Sequence, residues 1–171
     1  DRSLRTLMVT SAEPGEGKTT TIANLGVVMA QNGQRVIIAD CDMRHPHVHT
    51  YFGLPNRLGM STLFAQSALK LNGTTQPTPL ENLAVVATGS LPPNPAELMG
   101  SKRMQGILTI LRQAADVVLI DTPPTLAVTD AAALAPLTDG VLMVVRPGKT
   151  RTRALRVALE QMRQVNAHVL G

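Results

Sequence analysis

Between residues 11 and 20 the chain reads Ser-Ala-Glu-Pro-Gly-Glu-Gly-Lys-Thr-Thr, a stretch that leaves few folds open. The run before it, Leu7-Met8-Val9-Thr10, is apolar and strand-like, and the residues after it follow a helical pattern. Strand, glycine-rich turn, Gly-Lys-Thr and helix together make a phosphate-binding loop. Gly15 and Gly17 let the backbone enter the positive-φ region, so consecutive N–H groups can face inward around an anion. Lys18 sets a cation against the β- and γ-phosphates, and the Thr19 hydroxyl is placed to ligate Mg²⁺. The positive end of the following helix adds to the field. Pro14, Gly15, Glu16, Gly17, Lys18, Thr19 and Thr20 are therefore the candidate binding residues. The usual pattern opens with glycine where this chain has Ala12, a departure of one methyl group. A nucleoside-triphosphate site is the implication.

Composition narrows the class. The 171 residues suit a single domain with a real core, and 44% hydrophobic against 16% charged content excludes disorder as the main state. Aromatics make up only 2%, so the core must be aliphatic. One cysteine allows no internal disulfide and fits a reducing compartment. No apolar run approaches the ~18 residues of a membrane span, and no signal-peptide pattern precedes the first strand. The chain begins at Asp1 and stops at Gly171 inside a strand-like run, so it is expected to be a segment truncated at both ends. The net charge of +4 comes without base-stacking aromatics, which favours solubility over nucleic-acid binding.

Apolar runs alternate with helical stretches, the pattern of an α/β domain with a mostly parallel sheet and helices on both faces. Strands are predicted over 4–10, 35–40, 83–87, 117–121 and 140–146, with a sixth opening at 168–170. Helices are predicted over 19–32 (Ile22, Leu25, Val28 and Met29 on one face), 48–52, 61–71, 96–114, 130–137 and 151–166. Gly100-Ser101 is a candidate break, and 74–79 reads as a loop. One domain covering 1–171 is expected.

A phosphate-binding loop needs carboxylates at the C-terminal ends of neighbouring strands. Val117-Val118-Leu119-Ile120-Asp121 is four aliphatic residues and then Asp, the Walker B form, with Asp121 the candidate metal ligand through water. The second strand ends Ile38-Ala39-Asp40-Cys41-Asp42-Met43-Arg44-His45-Pro46, so two carboxylates one residue apart leave the sheet near the loop. One suits proton removal from a hydroxyl and the other assistance to the metal. Asp residues are also common in turns, so each sequence alone has a bland reading.

Four motifs carry a family resemblance: 11–20, 40–46, the segment Gly89-Ser90-Leu91-Pro92-Pro93-Asn94-Pro95-Ala96-Glu97-Leu98, and 118–124. Asp139-Gly140-Val141 leading to Val145-Arg146 adds to them. Together they resemble the cytoplasmic catalytic domain of the bacterial tyrosine kinases of capsular and exopolysaccharide export, over essentially the whole chain. The resemblance implies ATP and Mg²⁺ bound by Lys18 and Thr19, Asp40 as the base for a tyrosine hydroxyl, and Asp42 with Asp121 arranging the metal. It also implies protein tyrosine substrates, a membrane polysaccharide co-polymerase or activator domain as partner, a homo-oligomer, and a location on the cytoplasmic side of the cell membrane. Family members typically phosphorylate a tyrosine cluster in their own tail, whereas this sequence holds a single tyrosine, Tyr51.

The alternative is a switch ATPase of the MinD/ParA type, or a regulatory ATP-binding module without kinase activity. Such switches usually carry a lysine five residues before the catalytic one, and this chain has Glu13 there. Other features read as structural. His45, His47 and His49 alternate, but Pro46 and Val48 point to a loop entering a helix rather than a metal site. Cys41, between two Asp residues, is disfavoured as a thiolate. Arg151, Arg153, Arg156 and Arg163 mark a solvated helix face, and Met8, Met29, Met99, Met104 and Met143 fill apolar patterns.

Overall fold

A computed structural model describes residues 4–171. Six strands form one sheet: β1 (Thr6–Ser11), β2 (Val36–Asp40), β3 (Thr75–Pro77), β4 (Leu83–Val86), β5 (Val117–Asp121) and β6 (Gly140–Val144). Their order across the sheet is β3-β4-β2-β5-β1-β6. All neighbours are parallel except β3, which runs antiparallel to β4 at the edge. The central strands β2 and β5 are buried at every position, as expected where helices cover both faces.

Helices α1 (Lys18–Gln31) and α2 (Val48–Tyr51) cover one face. There Ile22, Ala30 and Val48 meet Val9, Ile38, Val85 and Leu119 from the strands. The opposite face takes α3 (Met60–Ala65), α4 (Pro95–Met99), α5 (Lys102–Ala114), α6 (Asp130–Leu134) and α7 (Thr152–Gln164). Met8, Ile37, Val118 and Ile120 pack there against Met104, Ile107, Leu111 and Met162. With so few aromatics, the interior is filled by methionine and branched aliphatic side chains.

Several boundaries depart from the sequence expectations. The presumed loop at 74–79 contains β3, whose three residues carry too little periodic signal to be read as a strand. The helix expected over 61–71 ends at Ala65, and beyond it the chain runs through bends and turns. At 168–170 there is only an isolated bridge, Val141 to Val169, in place of a sixth strand. On α1 the buried face runs through Ile22, Ala23, Gly26 and Ala30, while Val28 is exposed. Gly26 faces Ile38 so closely that a Cβ there would lie 2.7 Å from its Cδ1, which turns the helix toward its small residues. The expected break at Gly100-Ser101 separates α4 from α5, and the Ser101 side chain caps α5 by accepting from the Met104 N–H.

Candidate nucleotide and acid site

Three central strands deliver the site. Adjacent in the order β2-β5-β1, they end in Asp40, Asp121 and Ser11, and parallel register sets Asp40 beside Asp121 and Asp121 beside Val9. Loop and carboxylates, 20 to 100 residues apart in sequence, therefore meet at one sheet edge.

Gly15 and Gly17 adopt φ of 73° and 98°, as a loop wrapping an anion demands, and α1 starts at Lys18. Among the expected binding residues, Pro14, Gly15, Gly17, Lys18, Thr19 and Thr20 border a cavity of about 550 Å³. Glu16 does not: it is 3% exposed, and its carboxylate accepts from the Glu13 N–H at 2.8 Å and from the Thr150 hydroxyl. Only the backbone of Glu16 is left for a phosphate.

The carboxylates divide by access. Asp42 borders the cavity, whereas Asp40 and Asp121 are buried and do not. Asp40 accepts from the Asp42 N–H at 3.2 Å and from the Val48 N–H at 3.1 Å. Asp42 in turn accepts from the Arg44 N–H at 3.2 Å and the His45 N–H at 3.0 Å. The segment 40–48 is thus wound around its own two acids. Burial, with the charge of Asp121 next, pushes the Asp40 carboxyl up to about 8. Asp121 is pushed up to about 6 by burial, opposed by the Thr19 hydroxyl and the Lys18 charge.

Thr19 donates its hydroxyl to Asp121 Oδ2 at 2.7 Å, which joins the end of β5 to the first turn of α1. The other oxygen, Asp121 Oδ1, is buried with no hydrogen-bond partner. An orphaned buried carboxylate oxygen beside a threonine hydroxyl fits a hydrated Mg²⁺, which takes few protein ligands and completes its shell with water and phosphate. Among the described residues no three His, Cys, Asp or Glu side chains form a metal cluster by themselves, so such an ion depends on the nucleotide for its remaining ligands.

His45 and His47 are exposed at the cavity wall, and His49 is partly buried, its pKa lowered by burial and by His47. Cys41 is fully buried, and burial together with Asp40 raises its thiol pKa well above the ordinary value. Arg151, just before α7, is exposed, and Arg153, Arg156 and Arg163 lie on the exposed side of α7, away from buried Ala158 and Met162.

Some participants were not legible in advance. Arg44, at the cavity wall, makes a two-point ion pair of 3.0 Å each with the fully buried Asp130. This clamps the segment after β2 to α6, and the bond to Asp130 raises the guanidinium pKa. Asp130 reads in sequence as an ordinary helix-start acid, and nothing in its surroundings signals the partner. Tyr51 borders the same cavity, its hydroxyl in contact with that of Thr20. Arg146, after β6, closes another wall.

A parallel sheet, a glycine loop opening α1 and a buried strand-end Asp bound to the loop threonine define a P-loop nucleotide-binding protein. Comparison with known proteins refines that class. Residues 4–169 match the AAA domain family AAA_31. The tyrosine-protein kinase YwqD of Bacillus subtilis is 41% identical over the whole chain, which covers 72% of YwqD. The tyrosine-protein kinase wzc of Salmonella typhimurium is 36% identical over 96% of the chain but only 23% of its own length, so there the matching region is one part of a longer protein. The kinase domain of the Escherichia coli tyrosine kinase ETK superposes with a TM-score of 0.94 at 32% identity, covering 100% of this chain and 67% of that domain. The chain belongs to the family of bacterial tyrosine kinases.

Proposed function

We propose that this domain transfers the γ-phosphoryl group of ATP to protein tyrosine hydroxyls. The observation that carries the reading is the Thr19–Asp121 hydrogen bond beneath a cavity that Thr19 and Asp42 border, in a chain whose relatives are named tyrosine kinases. Backbone N–H groups of 15–20 and the Lys18 ammonium hold the phosphates in line. A bound Mg²⁺ supplies charge neutralisation of the transferring group, and Thr19, Asp121 and Asp42 are the residues that would hold it. The tyrosine proton leaves to the Asp40–Asp42 pair. Asp40, raised to about 8, takes up a proton only in the ionised form that a neighbouring Mg²⁺ would favour, and Asp42 has the access. Most of the catalysis is positioning and electrostatics, since phosphoryl transfer asks little covalent chemistry of the protein.

In its larger setting the domain acts at the cytoplasmic face of the bacterial membrane, regulating capsular or exopolysaccharide synthesis and export. Its partners there are an activator or co-polymerase domain and further copies of itself. In wzc the matching region is 23% of the whole, which leaves room for such a further domain. Among the described residues no helix is long and apolar enough to cross a membrane. A nucleotide switch without transfer is the competing reading, and Glu13 in place of its lysine disfavours it.

The test is phosphotyrosine, measured by mass spectrometry after the dephosphorylated protein with its native flanks and activator receives ATP and Mg²⁺. Parent protein gains phosphotyrosine, and Lys18→Met loses it by roughly 10²-fold or more. Hydrolysis or binding of ATP with no phosphotyrosine in the parent rejects the kinase reading in favour of the switch.

A further inference from the structure

A carboxylate inside a loop built to receive phosphate is an electrostatic liability, and Glu16 is such a group. Two unit charges in a weakly screened site repel by several kcal/mol at ~4 Å. The structure shows how this one is kept away from the phosphate site. The side chain turns back into the scaffold and is 3% exposed, with Oε2 on the Glu13 N–H at 2.8 Å and Oε1 on the Thr150 hydroxyl. Thr150 spends its single proton there and accepts the Arg146 N–H at 2.9 Å. The relay thus runs from residue 13 across Glu16 and Thr150 to residue 146, joining the phosphate loop to the turn between β6 and α7.

A second tie runs parallel to the first. Inward N–H groups leave the loop's carbonyls facing out, and the Gly15 carbonyl accepts from Arg146 Nη1 at 3.2 Å and Lys149 Nζ at 3.1 Å. Register explains the meeting: Ser11 at the end of β1 pairs with Val144 at the end of β6, so the loops that follow begin side by side.

We propose that Glu16 and Thr150 are positioning residues for nucleotide binding. Thr150 holds the Glu16 carboxylate out of the phosphate site, and the strut keeps the loop backbone in its receiving shape. This deepens the nucleotide reading of the site and rests on it. The strut predicts an unusual pattern. Removing the Thr150 hydroxyl harms binding chiefly by releasing a negative charge, so neutralising Glu16 in the same chain restores part of what was lost.

Titration calorimetry with ADP and with ATP, each with Mg²⁺, tests this on the protein with its native flanks. Thr150→Val weakens both nucleotides roughly ten- to 150-fold, the scale of one lost hydrogen bond to a charged group. Thr150→Ser, which keeps the hydroxyl, binds like the parent. Thr150→Val with Glu16→Gln binds more tightly than Thr150→Val alone. The strut is overturned if Thr150→Val binds like the parent. It is equally overturned if Thr150→Ser loses as much as Thr150→Val, or if adding Glu16→Gln deepens the loss, since both indicate a packing role. If the parent takes up neither ADP nor ATP, the nucleotide reading falls and the strut with it.

Discussion

The phosphate loop and the acid pair across from it are built by opposite means. Residues 11–18 make their cradle locally, from two positive-φ glycines and the first turn of α1. The carboxylates are assembled across the sheet, where register alone sets Asp40 beside Asp121. The cradle borders an open cavity, whereas the paired acids are sealed beneath it with only Asp42 at the wall. A local device tolerates change in the sheet and fails by losing shape. An assembled device keeps its shape yet depends on every strand beneath it, and it holds buried charge that folding must accommodate.

The two devices separate most sharply in function. Asp42→Asn lowers phosphotyrosine formation by roughly 10²–10⁴-fold, the worth of a positioned proton acceptor, while nucleotide affinity changes far less. Gly17→Val forces a side chain into φ of 98° and removes nucleotide binding itself. Paired measurements of transfer rate and ADP affinity check this, and equal loss of both parameters in both variants would erase the distinction.

Next in size is the sheet under the acids. Ile38, fully buried two residues before Asp40, packs on Gly26, so Ile38→Ala costs about 2–5 kcal/mol in urea unfolding. Part of the acid site's activity goes with it if assembly depends on the strands as described.

The pH dependence is smaller and opposite to that of an ordinary paired carboxylate. Native Asp40 holds its proton up to about 8, while the unfolded chain releases it near the ordinary 3.8. The native state therefore binds more protons between those values, and metal-free stability declines as pH rises through that window. Asp121, raised to about 6, adds to the lower half of the decline. Thermal unfolding from pH 5 to 8 shows it, and Asp40→Asn flattens the curve. Added Mg²⁺ with nucleotide opposes the decline, since it favours the ionised acids. A metal-free stability that rises over this range would contradict the sealed-acid description.

The smallest effect lies at the other end of the same strands. Arg35 and Asp116 pair at 2.7 Å before β2 and β5, but both are exposed, and water screens them. Arg35→Ala leaves the urea midpoint close to the parent value, in contrast to the Arg44–Asp130 pair, where loss of the half-exposed Arg44 strands the fully buried Asp130 carboxylate.

Much of this was legible from residues alone. The glycine loop, the four-aliphatic run into Asp121 and the Asp40-Cys41-Asp42 segment are contiguous, and each reports its own local physics: backbone freedom, a strand buried on both faces, a turn rich in acceptors. Alternating apolar and helical runs likewise dictated a parallel sheet with helices on both faces. Strand order was beyond reach, and with it the edge strand β3, the pairing of Arg44 with Asp130 and the tie between Glu16 and Thr150. These join residues as many as 134 apart, and no local preference encodes which neighbour a strand or a loop will find. Burial was also decided in three dimensions. The sequence marks Asp40 and Asp42 as equals, and only the packing of α2 and the turn around them seals one and leaves the other at the cavity, because desolvation depends on what surrounds a carboxylate and not on its place in the chain.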